Sequence, residues 1–143
     1  MRIRPLAADD IPVASALLHQ LGYAVDASEL AERIARLRAA PDHHAVVAEV
    51  AGRVVGLLHV FERPALEKPS EAVVQALVVN AASRGRGVGQ ALMREAEDWA
   101  TARDLASISL HTRVDRQDAH AFYASIGYET AATSHLMRKS VQP

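Results

Sequence analysis

The chain contains no cysteine. That excludes a disulfide scaffold, a thiolate nucleophile and a zinc site built on cysteine. Aromatic residues make up only 4% of a chain that is 50% hydrophobic, so the core must be assembled from Ala, Val, Leu and Ile. No apolar run approaches the roughly 20 residues of a membrane-spanning helix. Met1-Arg2-Ile3-Arg4-Pro5 also lacks the apolar block of a signal peptide. The expectation is a cytoplasmic protein with no membrane partner. Neither sign of charge dominates: the formal net charge is −1, so no broad basic field gathers nucleic acid. Repeats, low-complexity segments and linkers are absent as well. With 143 residues, one domain spanning 1–143 is expected.

What is present is concentrated. Three of the seven glycines, Gly85, Gly87 and Gly89, fall within five residues. They follow the apolar run Val73 to Val79 and open directly into the periodic pattern Val88, Ala91, Leu92, Ala96, Trp99. This is a strand, a loop and a helix. Glycines at a helix start let a ligand approach backbone N–H groups that carry the positive end of the helix dipole. Arg84 and Arg86 add planar cationic forks suited to phosphate oxygens. A nucleotide-hydrolase phosphate loop would need Lys-Ser/Thr after its last glycine, which is missing here. The dinucleotide fingerprint would need glycine where Gln90 stands. The chemistry points to a diphosphate-bearing ligand of another kind.

Around this centre the chain reads as an α/β domain. Arg2-Ile3-Arg4 forms a short strand. Asp9 or Asp10 caps a helix carrying Val13, Leu17, Leu18 and Leu21, stopped by Gly22. Asp26-Ala27-Ser28-Glu29 has capping-box spacing ahead of a second helix that ends before Pro41. His44 to Val50 and Arg53 to Phe61 flank Ala51-Gly52 as a hairpin. Ala106 to Thr112 alternates as a strand, Asp115 to Ile126 forms a helix ended by Gly127, and one or two final strands are expected between Tyr128 and Val141.

Arg84-x-x-Gly87-x-Gly89 after a strand resembles the pyrophosphate loop of the GCN5-related N-acetyltransferases, the GNAT family. Ala119-His120-Ala121-Phe122-Tyr123-Ala124-Ser125-Ile126-Gly127-Tyr128 resembles that family's second hallmark, Ala-x-x-Phe-Tyr-x-x-x-Gly-Phe/Tyr. The two motifs occur in the family's order, with a helix and a strand between them. Arg116-Gln117-Asp118-Ala119-His120-Ala121-Phe122-Tyr123 is similar to a branch of small-molecule amine acetyltransferases. The resemblance implies a mostly antiparallel, mixed twisted sheet of six to seven strands flanked by about four helices. In it a splayed parallel strand pair forms an acyl-CoA slot.

It also implies roles. Acetyl-CoA is the co-substrate and a small primary amine the acceptor, attacking directly; a homodimer is plausible from the family. Backbone amides of Leu77, Val78 and Val79 serve the acetyl carbonyl and the pantetheine arm. Arg84, Gly85, Arg86, Gly87, Val88, Gly89 and Gln90 hold the pyrophosphate. Phe122 and Arg116 face the cofactor, Arg116 standing where the family often has Asn. Tyr123 protonates the leaving thiolate.

The base is the departure: many members place Glu or Asp at the position of Ala76. The remaining acceptors are His111, His59, Glu71, or Asp115 through water, and His111 is preferred because its strand borders the expected slot and imidazole titrates near neutrality. Two other readings stay open: a protein or peptide amine acetyltransferase, and a catalytically idle acyl-CoA-binding module. The seven histidines show no helical His-x3-His spacing, and His43-His44 on a strand face opposite ways, so no metal is assigned.

Overall fold

The computed structural model describes residues 1–143, which group into two compact units, Met1–His111 and Thr112–Pro143. The first holds one five-stranded sheet with its strands in sequence order. These are β1 (Arg2–Pro5), β2 (His43–Val50), β3 (Arg53–Arg63), β4 (Glu71–Val79) and β5 (Ile108–Leu110). Successive pairs are antiparallel except β4 and β5, which run parallel. Between β1 and β2 lie α1 (Ile11–Gln20) and α2 (Ala27–Ala39); α3 (Val88–Ala102) crosses from β4 to β5.

Local signals account for the ends of these elements. Ala51 and Gly52 take φ 52° and 76°, the double left-handed turn that matches the twist of a tight hairpin. The Asp26 carboxylate accepts the Glu29 N–H at 2.8 Å and caps α2. Asp10 stands before α1, yet its carboxylate does not bond that helix's amides. It accepts the Ala7 N–H inside a short 3-10 turn (Ala8–Asp10) and is held in a fork by Arg4 at 2.8 Å through both oxygens. The Arg4 hydrogen bonds therefore hold the nearly buried Asp10 below the usual carboxylate range.

The sheet is covered on both faces. One face carries Val47, Leu57 and Val78 against Leu6, Ala14, Leu17, Leu30 and Ile34, the apolar stripes of α1 and α2. Alternation puts Val46, Leu58 and Val60 on the other face, with Leu92, Met93 and Ala96 of α3 buried to the same degree. Gly56 is where α3 comes closest. A Cβ there would lie 2.9 Å from Leu92 Cδ1 and 3.1 Å from Val88 Cγ1, so the missing side chain is what lets the first turn of α3 seat on β3.

Two irregularities shape β4. His59 pairs with Ala76 while Val60 pairs with Val74, so Gln75 is an extra residue without a partner, a β-bulge. Pairing with β5 covers only Ala72–Val74 against Ile108–Leu110. The strand expected over Ala106–Thr112 is therefore three residues long, because β4 turns away at the bulge.

The second unit contains α4 (Gln117–Ser125) and no strand. The expected six to seven strands are five. The Tyr128–Val141 stretch forms no strand: its large apolar residues Leu136, Met137 and Val141 are 82–93% exposed, so it buries no face. Without one buried face nothing pins a register. No helix of the structure is long and apolar enough to cross a membrane.

The Gly56 approach gives a direct test. Gly56→Val should destabilise the fold by about 1–3 kcal/mol through overpacking, read as a lower urea midpoint at unchanged slope.

Candidate acyl-CoA site

The bulge decides where the polar edge of β4 is free. The Asn80 N–H donates to the Val55 carbonyl on β3 at 2.7 Å. Alternation then directs the Val78 N–H to β3 as well, and the N–H groups of Leu77 and Val79 to the opposite edge. β5 pairing has already ended there, at Val74. Leu77 and Val79 thus present backbone donors along an edge of β4 that β5 does not cover. That edge runs toward the glycine loop.

At its end the chain makes a 3-10 turn over Ala81–Ser83, in which Asn80 Oδ1 accepts the Ala82 N–H. Gln20 Oε1, at the last residue of α1, accepts the Ala81 N–H at 3.0 Å and ties the loop to that helix. Gly85 and Gly87 take φ 78° and 81°, values that L side chains adopt only with strain. Gly87 is the residue before α3 and offers no capping side chain. The first intrahelical bond runs from Ala91 N–H to Gly87 O. The amides of Val88, Gly89 and Gln90 are therefore the unsatisfied donors of the helix start, with no acidic residue in that turn. Nothing lies within 4 Å of a Cβ built on Gly85 or Gly87. The bare backbone faces open space, which is what a diphosphate needs. Arg86 is exposed beside it, while Arg84 folds back, its Nε donating to the Val79 carbonyl at 3.3 Å.

The proton-transfer candidates separate clearly. His111 is exposed and lies one residue past the end of β5. It is a neighbour of the strand, not part of it. Glu71 is committed: its Oε1 accepts from Arg63 at 2.7 Å, and Lys68 stands 3.5 Å away. Burial pushes its pKa up, but Lys68, Arg63 and Ser107 among its partners bring it below the usual range. Asp115 is exposed and forked by Arg113 at 3.1 Å.

His59 differs. It sits directly across from Ala76, and its Nε2 is 2.9 Å from His43 Nδ1. Desolvation, with the nearby His43, pushes the His59 pKa down to about 4. His43 itself stacks on Phe61, with ring centroids 5.1 Å apart. The sequence places His43 with His44 but gives it no partner on β3. Alternation across the β2–β3 hairpin was the signal that could have found it, since His43, Ala45, His59 and Phe61 share one face. The other half of the dipeptide, His44, turns to α3 and contacts Glu95 and Trp99.

In the second unit, His120 Nε2 donates to the Arg113 carbonyl at 2.8 Å and pins the entry to α4. Gly127 at φ 97° closes the helix, with Tyr128 N–H bonding Tyr123 O and Gly127 N–H bonding Ala124 O. The Tyr123 ring is wedged edge-on between Phe122 and Tyr128, at 5.1 and 5.8 Å. Desolvation raises its pKa and outweighs the pull of Arg116, so the phenol remains protonated at neutral pH. Arg116 stands at the start of α4 with Asp118 3.6 Å from its Nε.

A mixed sheet with an uncovered β4 edge beside an uncapped glycine helix start is the class of fold and site present here. The sequence profile of the Acetyltransferase (GNAT) family matches residues 12–128, and the chain belongs to that family. It is similar to YhdJ, an uncharacterised N-acetyltransferase of Bacillus subtilis, with 35% identity over 80 residues covering 55% of each chain. It is also similar to the N-alpha-acetyltransferase RimI of Mycobacterium tuberculosis, with 34% identity over 91 residues covering 64% of this chain and 55% of RimI. The matches thus span about half the length of these relatives. In fold it resembles the apo aminoglycoside 6'-N-acetyltransferase AAC(6')-IG of Acinetobacter haemolyticus. The TM-score is 0.85 at 19% identity, over 99% of this chain and 100% of the other.

Because the space beside Gly87 is open, the cost of a side chain there is conformational. Gly87→Ala should lose about 1–2 kcal/mol of stability, measurable by urea unfolding, without any repacking of the core.

Proposed function

We propose that the protein is an acetyl-CoA-dependent N-acetyltransferase acting on a small primary amine by direct attack. The observation that carries this reading is the end of the β4–β5 pairing at Val74, which leaves the Leu77 and Val79 amides on an uncovered edge of β4 before the Gly85–Gln90 loop. That edge would form one wall of the acyl-CoA slot. The amides of Val88, Gly89 and Gln90, with Arg86, match a pyrophosphate in charge and geometry. A Leu77 or Val79 N–H would polarise the acetyl carbonyl and stabilise the oxyanion that forms on attack. By the family's second motif, Phe122 and Arg116 are assigned with Tyr123 to the cofactor. Tyr123, kept protonated by burial, supplies the proton to the departing thiolate. A thiolate is a good leaving group, so the acid assists the step without being indispensable.

The identity of the amine belongs to the same proposal. RimI, by its name, acetylates an α-amine, and the fold relative acts on an aminoglycoside, so both a peptide terminus and a small polyamine belong in the screen. A cytoplasmic location and a homodimer are part of this reading and rest on family character alone.

Thermal unfolding with and without acetyl-CoA tests the cofactor. Saturation at about 100 times the dissociation constant adds ~2.7 kcal/mol, a shift of several degrees. Gly87→Asp, which puts a carboxylate where the phosphates would lie, should abolish that shift, whereas Gly87→Ala should retain part of it. A wild-type protein that does not shift would end the acyl-CoA reading.

Tyr123→Phe tests the acid. Thiol release should slow by roughly 10²–10⁴-fold, with the acetyl-CoA thermal shift preserved. The lack of cysteine keeps the thiol assay free of protein background. Equal rates in both proteins would remove Tyr123 from the chemistry.

A further inference from the structure

We propose that His59 and His43 form a two-ring proton relay that takes the proton from the acceptor amine, in place of the carboxylate absent at Ala76. The inference rests on the acetyltransferase reading. His59 is the cross-strand partner of Ala76, on the same face of the sheet and next to the bulge that frees the β4 edge. Cross-strand partners hold their Cβ atoms about 4.5–5.5 Å apart, so His59 borders the position an acid on β4 would take. The contact between His59 Nε2 and His43 Nδ1, at 2.9 Å, requires one ring to donate and the other to accept.

The relay balances without a buried imidazolium. In the resting pair both rings carry their proton on Nε2. His59 Nε2–H donates to His43 Nδ1, and His59 Nδ1 keeps a lone pair. Before attack, a proton of the bound ammonium passes to His59 Nδ1, directly or through one water, and frees the nitrogen lone pair that then bonds to the acetyl carbon. The His59 Nε2 proton moves to His43 Nδ1, and His43 Nε2 releases its own proton to water. Both rings end neutral as Nδ1–H tautomers, and exchange with solvent resets them.

This handover answers a difficulty with a single histidine. A half-buried ring that resists protonation until about pH 4 would be a poor store for a proton at neutrality, but it need not store one when a second ring accepts concurrently. His43 has an outlet, because it also lines a cavity of about 160 Å³ with Leu37 and Arg38 at the end of α2. The charged groups of the surrounding elements leave the pair free. Arg63 and Glu71, on the same face of β3 and β4, neutralise each other. Arg38 donates to the Leu6 carbonyl, and His111 lies beyond the end of β5.

Two measurements decide the proposal. Ring ¹⁵N–¹H correlation spectra at about pH 7 should show His59 and His43 both neutral with the proton on Nε2; a resting His59 with its proton on Nδ1 would overturn the relay. Thiol release from acetyl-CoA is then followed with 1,4-diaminobutane, 2-aminoethanol, neamine and an alanine-terminated peptide. His59→Gln should lower kcat by about 10²-fold, with KM for acetyl-CoA and the thermal shift unchanged. The deficit should narrow as pH approaches ~10, where the amine loses its proton unaided; a merely structural defect would not recover in this way. His43→Gln should cost at least about 10-fold, and the double variant no more than His59→Gln alone, as members of one unit behave. A His59→Gln enzyme at wild-type rate, or a wild type that binds acetyl-CoA yet acetylates none of the four amines, would overturn the relay and leave the cofactor assignment standing. Absence of acetyl-CoA binding would remove both.

Discussion

One extra residue in one strand sets most of what matters in this molecule. Gln75 has no partner on β3, so β4 changes direction at that point. Its parallel pairing with β5 then stops after three residues. The backbone polarity of β4 is shifted by one from there on, which sends the Leu77 and Val79 amides away from β3. An antiparallel ladder continued without the bulge would have presented different amides. A parallel ladder continued without divergence would have consumed them. The slot and its donors come from a single local irregularity.

The rest of the first unit holds that irregularity in place. α3 must start close to β3 for its free amides to lie at the end of the slot, and Gly56 permits this by omitting the Cβ that Leu92 and Val88 would strike. The α1–α2 layer secures the opposite face through Leu17, Leu30 and Ile34. It also reaches the loop itself, where Gln20 accepts the Ala81 N–H. That hydrogen bond joins the glycine-rich loop to the end of α1. The charged groups follow the same logic of commitment. Glu71, Asp115 and Asp10 are each engaged by arginine. The imidazole pair opposite Ala76 is bonded within itself.

Much of this was legible in the residues. The Gly85–Gly89 spacing, the helix starts at Asp26 and after Gly87, the Ala51-Gly52 hairpin and the Gly127 stop are local signals, and each occurs where local chemistry placed it. One reading failed and another rests on a shorter strand than expected, each for a physical reason. The final strands between Tyr128 and Val141 were inferred from order and composition, but Leu136, Met137 and Val141 stay exposed, so no face is buried. His111 was favoured as a base on the premise that β5 extends to Thr112. That premise overlooked a bulge in the neighbouring strand, which no feature of β5's own sequence reveals.

The sequence by itself determined the family, the location of the glycine-rich helix start, the composition of the core and the position of the Tyr123 motif. These depend on residues close together in the chain, where turn geometry, capping and periodicity act. Tertiary structure decided which amides are free, which carboxylates are already paired, and that His43 and His59, sixteen residues apart, meet across a hairpin. Those facts depend on strand register, and register is a property of two strands at once. A one-residue change in either partner reassigns every side chain and every amide beyond it.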